Sequence, residues 1–267
     1  MKSQLVLGNY CADDIPNINL KHFRITYFES SPKELPPQTI FELIERKGFD
    51  LKRNSNSYLK LIKSDNLKLV LKEPTRKNRR FLTRILSVFR QSRAYHVAQS
   101  LTFLRSAEIE TNRPLCVLEK KFFGMVVYSL IIYEYIEGEA IQSEHFADLA
   151  ETVKKINNLG YGHNDCHQGN FIKTHHGISP IDVVLRKHFF GKISVDLQFL
   201  KLFHALTETE LMRLYPGANH KRLRFSRWLF NVKRQARSIK NTLKPYLYSC
   251  MLVSLAYQLV FMLNEGL

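Results

Sequence analysis

Asp165 and Asn170 stand five residues apart in a polar loop, and Asp182 follows twelve positions later. A carboxylate, an amide and a second carboxylate, in that order, are the groups that phosphoryl transfer asks of a protein. The first sits beside the acceptor hydroxyl, and the other two hold Mg²⁺ against the phosphates. Such a hard cation prefers oxygen ligands. A positive charge for the phosphates belongs on a strand, and Lys72 closes the run Leu67-Lys68-Leu69-Val70-Leu71-Lys72. Two rival chemistries share the loop. His163, Cys166, His167, His175, His176 and His188 are zinc-type donors, but no C-x-x-C or H-E-x-x-H spacing accompanies them. Cys166 beside His167 is a thiol next to a base, yet adjacent side chains seldom aim at one another. Asn and Asp also favour turns, so a turn without chemistry is the plain alternative.

These groups need elements to hold them. Ile40 to Glu45 reads as a short helix after Pro36-Pro37. Ser57 to Ile62 and Leu67 to Lys72 read as strands around the turn formers Ser64-Asp65-Asn66. Lys77 to Ile109 reads as one basic helix, and Leu115 to Lys120 and Met125 to Ile136 as further strands. Phe146, Leu149, Val153 and Ile156 set a helix that Gly160 stops. Short apolar pieces follow at Phe171-Ile172 and Ile178 to Val184, and the chain reads as helical from Ser194 onward. Strands crowd the first half and helices the second, the pattern of an α+β protein with a small β-rich lobe and a larger helical one.

The 267 residues carry 40 Lys+Arg against 24 Asp+Glu, a formal charge of +16, with 45% apolar residues. That composition excludes a mainly disordered chain, and four scattered Cys exclude a disulfide scaffold and point to a reducing, cytoplasmic setting. Met1 to Leu20 lacks the apolar core of a signal peptide. The charge is uneven. Lys72 to Arg93 holds eight Lys/Arg and one acid, and Leu211 to Asn264 holds ten Lys/Arg and none. Within the latter, Phe225, Leu229, Val232, Ala236, Ile239 and Leu243 recur at helical spacing among Arg and Lys, as in helices that lie on anionic membranes or, equally, pack on a core. Tyr246 to Leu263 is free of charge, yet Ser249, Ser254 and Gln258 favour a buried or interfacial helix over a spanning one. No nucleic-acid-binding motif accompanies the basic segments, so nucleic acid is the weaker partner.

His163-Asn164-Asp165-Cys166-His167-Gln168-Gly169-Asn170 resembles the H-x-D-x-H-x-G-N catalytic loop of protein-kinase-like small-molecule kinases. The wider match is to the lipopolysaccharide core heptose kinases of Gram-negative bacteria. It includes Leu69 to Lys72, Arg79-Arg80-Phe81, Ile131 to Gly138, Gly169 to Ile172 and Val195-Asp196-Leu197. The resemblance implies a protein-kinase-like two-lobe fold, ATP and Mg²⁺ as cofactors, and a lipopolysaccharide core glycolipid as acceptor at the cytoplasmic face of the inner membrane. It implies that Asp165 accepts the hydroxyl proton, that Asn170 and Asp182 bind Mg²⁺, and that Lys72 neutralises phosphates. Glu134, Tyr135 and Ile136 would form the hinge that reads adenine, and Asp196 would brace the catalytic loop. The implied boundaries are an N-terminal extension (1–45), a nucleotide-binding lobe (46–138), a helical lobe with the catalytic loop (139–244) and an apolar C-terminal helix (245–267). The sequence departs from the pattern in three places. No Gly-rich loop precedes Lys72, the following helix offers His96 and Gln99 where an acidic partner for Lys72 is sought, and Val183-Val184 follow Asp182 where a glycine is usual. A kinase with another acceptor, and a catalytically weak relative acting as a membrane-associated binding protein, are the alternatives.

Overall fold

The computed structural model describes residues 23–53, 57–64, 67–75, 81–216, 218–232, 234–236, 238–239 and 242. Arg79-Arg80, the apex of the polar turn before Lys72 and the apolar run 246–263 lie outside the described residues. The chain divides into two compact units, Met1–His188 and Phe189–Leu267.

The first unit is built on a six-stranded antiparallel sheet in the order β1-β5-β6-β4-β3-β2. Its strands are β1 (Phe23–Tyr27), β2 (Phe49–Arg53), β3 (Tyr58–Ser64), β4 (Leu67–Glu73), β5 (Pro114–Phe122) and β6 (Met125–Glu134). Side chains alternate across a strand, and here both faces are covered. Leu69 and Leu71 of β4 join Cys116, Leu118, Leu130 and Ile132 in one core, packed on Ile40, Phe41 and Leu43 of helix α1 (Pro37–Glu45). Val70 points the other way, with Val117, Ile131 and Tyr133, against Val97, Ala98, Leu101 and Leu104. Lys72, two residues beyond Val70, shares that second face and pairs in register with Ile131. The lysine is thereby aimed at the side of the sheet where the loop residues gather.

The single basic helix expected over 77–109 is two helices, α2 (Phe81–Leu86) and α3 (Arg93–Ser106). Two serines explain the break. Ser87 Oγ donates to the Arg84 carbonyl and accepts the Val126 N–H, tying the end of α2 to β6. Ser92 caps α3, its hydroxyl accepting from Tyr95 N–H at 3.1 Å. Capping by serine is worth about 1 kcal/mol, enough to fix where a helix restarts.

Within the same unit α4 (Phe146–Asn158) buries Leu149, Val153 and Ile156 of the predicted set, with Ala150 in addition and Phe146 only half-buried, and Gly160 follows at φ +82°. Short paired strands then frame the loop. β8 (Tyr161–His163) pairs with β11 (Leu185–Lys187), and β9 (Phe171–Thr174) pairs with both β7 (Glu139–Ala140) and β10 (Gly177–Pro180). The second unit contains α5 (Lys192–Leu202), α6 (Glu208–Leu214) and a helical stretch over 220–232. Among the described residues its buried apolar side chains are Phe199, Leu200, Leu202, Phe203, Leu211 and Leu223. Among the described residues no helix is long and apolar enough to cross a membrane.

Candidate active site

The loop between β8 and β9 is held by its own polar groups. The Asn170 side-chain amide donates to the Asp165 carbonyl at 2.7 Å, closing the five-residue span, and Asn170 N–H donates to His167 O at 2.9 Å. Ile181 N–H donates to Asn170 O at 2.8 Å, and Asn164 N–H to Val184 O at 2.9 Å. The segment carrying Asp182 is therefore stitched to the loop carrying Asp165 on both sides. His163 reinforces this from beneath. It is 3% exposed, and its Nδ1 accepts the Asp165 N–H at 3.1 Å. Burial pushes the imidazole down to about 4, so the ring is neutral at pH 7 and able to accept.

Asp182 sits at φ +53°, a left-handed conformation that costs a non-glycine residue roughly 1 kcal/mol and that Asp tolerates better than most. What holds it there is the pair that follows. Val183 and Val184 are buried in the core on the α3 side of the sheet, so the residues that replace the usual glycine serve as anchors. The Asp182 carboxylate remains 41% exposed, and its Oδ2 lies 2.6 Å from Lys72 Nζ. Two residues 110 positions apart in sequence thus meet, one from the sheet and one from the loop.

The carboxylate of Asp165 is 57% exposed, with His167 Nε2 at 3.6 Å from its Oδ2. That exposure suits a base that must meet an incoming hydroxyl. The Asn170 amide nitrogen is engaged in the loop, which leaves its oxygen as the donor for a cation. With an Asp182 oxygen this makes a hard, oxygen-only set of the kind Mg²⁺ takes when phosphates and waters fill the remaining positions. An amide oxygen and a carboxylate oxygen are donors that suit Mg²⁺. Among the described residues no cluster of three or more His, Cys, Asp or Glu is placed to hold a metal ion.

At the other end of β6, Glu134 is braced on both sides. Its carboxylate meets Arg113 Nη1 at 3.0 Å, its carbonyl accepts from Asn112 Nδ2 at 3.0 Å, and its N–H donates to Arg113 O. Tyr135 N–H donates to Lys68 O at 2.7 Å, which commits that amide to the sheet. Of the three hinge candidates, the Tyr135 amide is engaged within the protein, and the Glu134 carbonyl keeps one lone pair for a ligand.

One basic residue escapes the sequence argument. Arg93, the first residue of α3, is lowered in pKa by burial, while Asp182 and Asp165 pull the other way. It lies in the field of both acids. Its only sequence signal is membership of the basic run after Lys72. His96 and Gln99, where an acidic partner for Lys72 was sought, are exposed. Asp196 is fully buried in the second unit, where it takes Arg222 Nε at 2.7 Å, Arg222 Nη2 at 3.2 Å and Ser226 Oγ at 3.3 Å.

This is a protein-kinase-like α+β fold, as the sequence predicted. Among solved structures it is similar to WaaP in complex with acyl carrier protein, with a TM-score of 0.50 and 15% identity over 80% of this chain and 98% of that one. A protein described as a fructosamine-3-kinase from Haemophilus somnus 129PT aligns at TM-score 0.47 and 10% identity, over 73% of this chain and 86% of that one. WbdD aligns at 0.43 and 15% identity, over 68% of this chain and 44% of that one. No family profile and no curated protein sequence matches the chain. The WaaP match bears out, at the level of fold, the resemblance read from the catalytic-loop residues.

Proposed function

We propose that this chain is an ATP-dependent kinase that phosphorylates a sugar hydroxyl, most specifically a heptose of the lipopolysaccharide inner core. The observation that carries the proposal is the meeting of Lys72 with Asp182, at 2.6 Å, beside a loop in which Asn170 is bonded to Asp165. The Ile181 N–H bond to Asn170 O links the two contacts and supports reading the four residues as one site. Bound Mg-ATP supplies the γ-phosphoryl group: the acceptor oxygen bonds to phosphorus as the bond to the ADP oxygen breaks. Asp165 takes the proton from the acceptor hydroxyl. Lys72 offsets charge on the phosphates, and Asn170 with Asp182 holds the metal through oxygen. The backbone from Glu134 to Ile136 receives the adenine. Arg93 adds a second positive charge on the face where Asp165 waits.

The basic character fits an acceptor that carries phosphate and sits in an anionic membrane. In the second unit the helical stretch over 220–232 leaves Phe225 and Trp228 49% and 57% exposed, stacked with ring centroids 5.8 Å apart. That outward apolar face favours the membrane-surface reading of this helix over core packing. Nucleic acid remains the weaker partner.

The test is phosphate incorporation from Mg-ATP into purified lipopolysaccharide core by the wild-type chain and by Asp165→Ala. A rate loss of about 10³-fold with nucleotide binding intact is expected. An unchanged rate removes Asp165 as the base. A wild-type chain that gains no thermal stability in Mg-ATP is instead a binding protein with a kinase fold. Core lipopolysaccharide from cells with and without the protein should differ by one phosphate in mass.

A further inference from the structure

The β5–β6 hairpin ends in Phe122 and Phe123, which are 60% and 84% exposed with ring centroids 4.5 Å apart. Phe123 and Gly124 turn the chain at φ +46° and +76°, so the two rings stand at a protruding tip. Beside them the connector after α2 leaves Phe89 86% exposed, with Val88 and, at the end of α2, Ile85 and Leu86 also open. The two segments form one surface. Val88 Cγ1 lies 3.7 Å from the position a Cβ on Gly124 would take, and Val126 N–H donates to Ser87 Oγ at 2.7 Å. Three open phenylalanines on adjoining segments make an exposed apolar patch of the kind that marks an interaction site.

The charge around them has one sign. Residues 83–93 and 120–126 contain Arg84, Arg90, Arg93, Lys120 and Lys121 and no acid. The neighbouring Glu119 is buried and accepts the Ser92 N–H at 3.3 Å. Between the connector and β6 lies a cavity of about 260 Å³, lined by Thr83, Ser87, Arg90, Ser92, Arg93 and Ser129. Arg90 is exposed, while Arg93 is turned in part toward the field of Asp165 and Asp182. Hydroxyls and guanidinium groups around a small cavity are suited to a phosphate.

We propose that this face of the first unit docks on an anionic bilayer, with Phe89, Phe122 and Phe123 in the acyl boundary and Arg90, at the adjoining cavity, on a lipid phosphate. Protruding rings enter a fluid layer without a preformed groove, and a cationic rim matches anionic headgroups. The inference rests on the membrane part of the proposed function, and the residues it tests, Phe89, Arg90, Phe122 and Phe123, have no role in the phosphoryl chemistry. It adds a contact that the C-terminal helix does not supply.

The experiment is sedimentation of the full chain with vesicles of phosphatidylcholine alone or mixed with phosphatidylglycerol, without nucleotide or acceptor. Failure here therefore leaves the kinase reading untouched. The wild-type chain is expected to pellet with the anionic vesicles, weakly with neutral ones, and less as salt rises. The pair Phe122→Ser with Phe123→Ser, and separately Phe89→Ser, should each weaken anionic vesicle affinity about tenfold. Arg90→Glu should weaken it about twentyfold. These side chains are exposed, so melting temperatures should stay at the wild-type value, which shows that the variants fold. The control is Phe225→Ser with Trp228→Ser in the second unit. The proposal is overturned if only that control loses binding, if neutral and anionic vesicles bind alike, or if the tip variants abolish self-association and leave vesicle binding intact.

Discussion

Each unit contains an aspartate that meets a cation, and the two are built differently. Asp182 in the first unit is 41% exposed, faces Lys72 at 2.6 Å and stands on a left-handed residue. Asp196 in the second is fully buried and takes two guanidinium nitrogens of Arg222 together with the Ser226 hydroxyl. A carboxylate so surrounded has little left to offer a ligand, and its worth is structural. A carboxylate open to solvent on one side, opposite a single lysine, can exchange that partner for something else. Both read as D in a motif, and burial separates their roles.

Exchanging the roles is the sharpest way to break this contrast. Asp182→Asn should cut phosphoryl transfer about 10³-fold while costing less stability than the loss of Arg222, because the Asp182 carboxylate is 41% exposed although its partner Lys72 is buried. A collapse in stability instead would place Asp182 with Asp196 as a structural acid. Conversely, Arg222→Met strands the Asp196 carboxylate in the interior and should cost about 3 kcal/mol by urea denaturation. The Mg-ATP thermal shift of the protein that remains folded should persist.

The frame under the site has its own acid sensitivity. His163 is held neutral with its pKa near 4, against about 6.5 when unfolded, so the unfolded chain binds the extra proton. Stability contributed by this residue is complete above about pH 6.5 and is lost as the pH falls towards 4. By pH 4.5 the loss is about 2 kcal/mol. Urea titrations at pH 7 and 4.5 should show it, and His163→Asn should flatten that slope. The smallest effect belongs to the second unit. Thr207 and Glu210 cap α6 reciprocally, with Glu210 N–H donating to Thr207 Oγ1 and Thr207 N–H to a Glu210 carboxylate oxygen. Thr207→Ala should cost about 1 kcal/mol and leave transfer unchanged.

The sequence carried the central strands and the loop because both are local signals. Leu67 to Lys72 and Met125 to Glu134 are apolar enough to read as buried strands, and the Asp165 loop is polar with fixed spacing. It did not carry β1, whose five residues alternate Phe23, Ile25 and Tyr27 with Arg24 and Thr26 and acquire meaning only by pairing with β5, some ninety residues away. The split between α2 and α3 was missed because the basic periodicity runs through it, and the serines that end one helix and start the next act through contacts with β6 and with α3's own first turn. Arg93 was invisible for a related reason. A cation in a basic run looks like every other one until the fold sets it near two acids.

The stitching of the loop also sets its timescale. The amides of Asn164, Asn170 and Ile181 are donors in bonds that join β8, the loop and the Asp182 segment, while Val183 and Val184 pin the same segment into the core. Their exchange with solvent deuterium requires the whole frame to open, so these protons should be among the slowest in the first unit. The catalytic groups would then be spared the breathing that loops usually undergo, and substrate-driven motion would fall to the segments outside that frame.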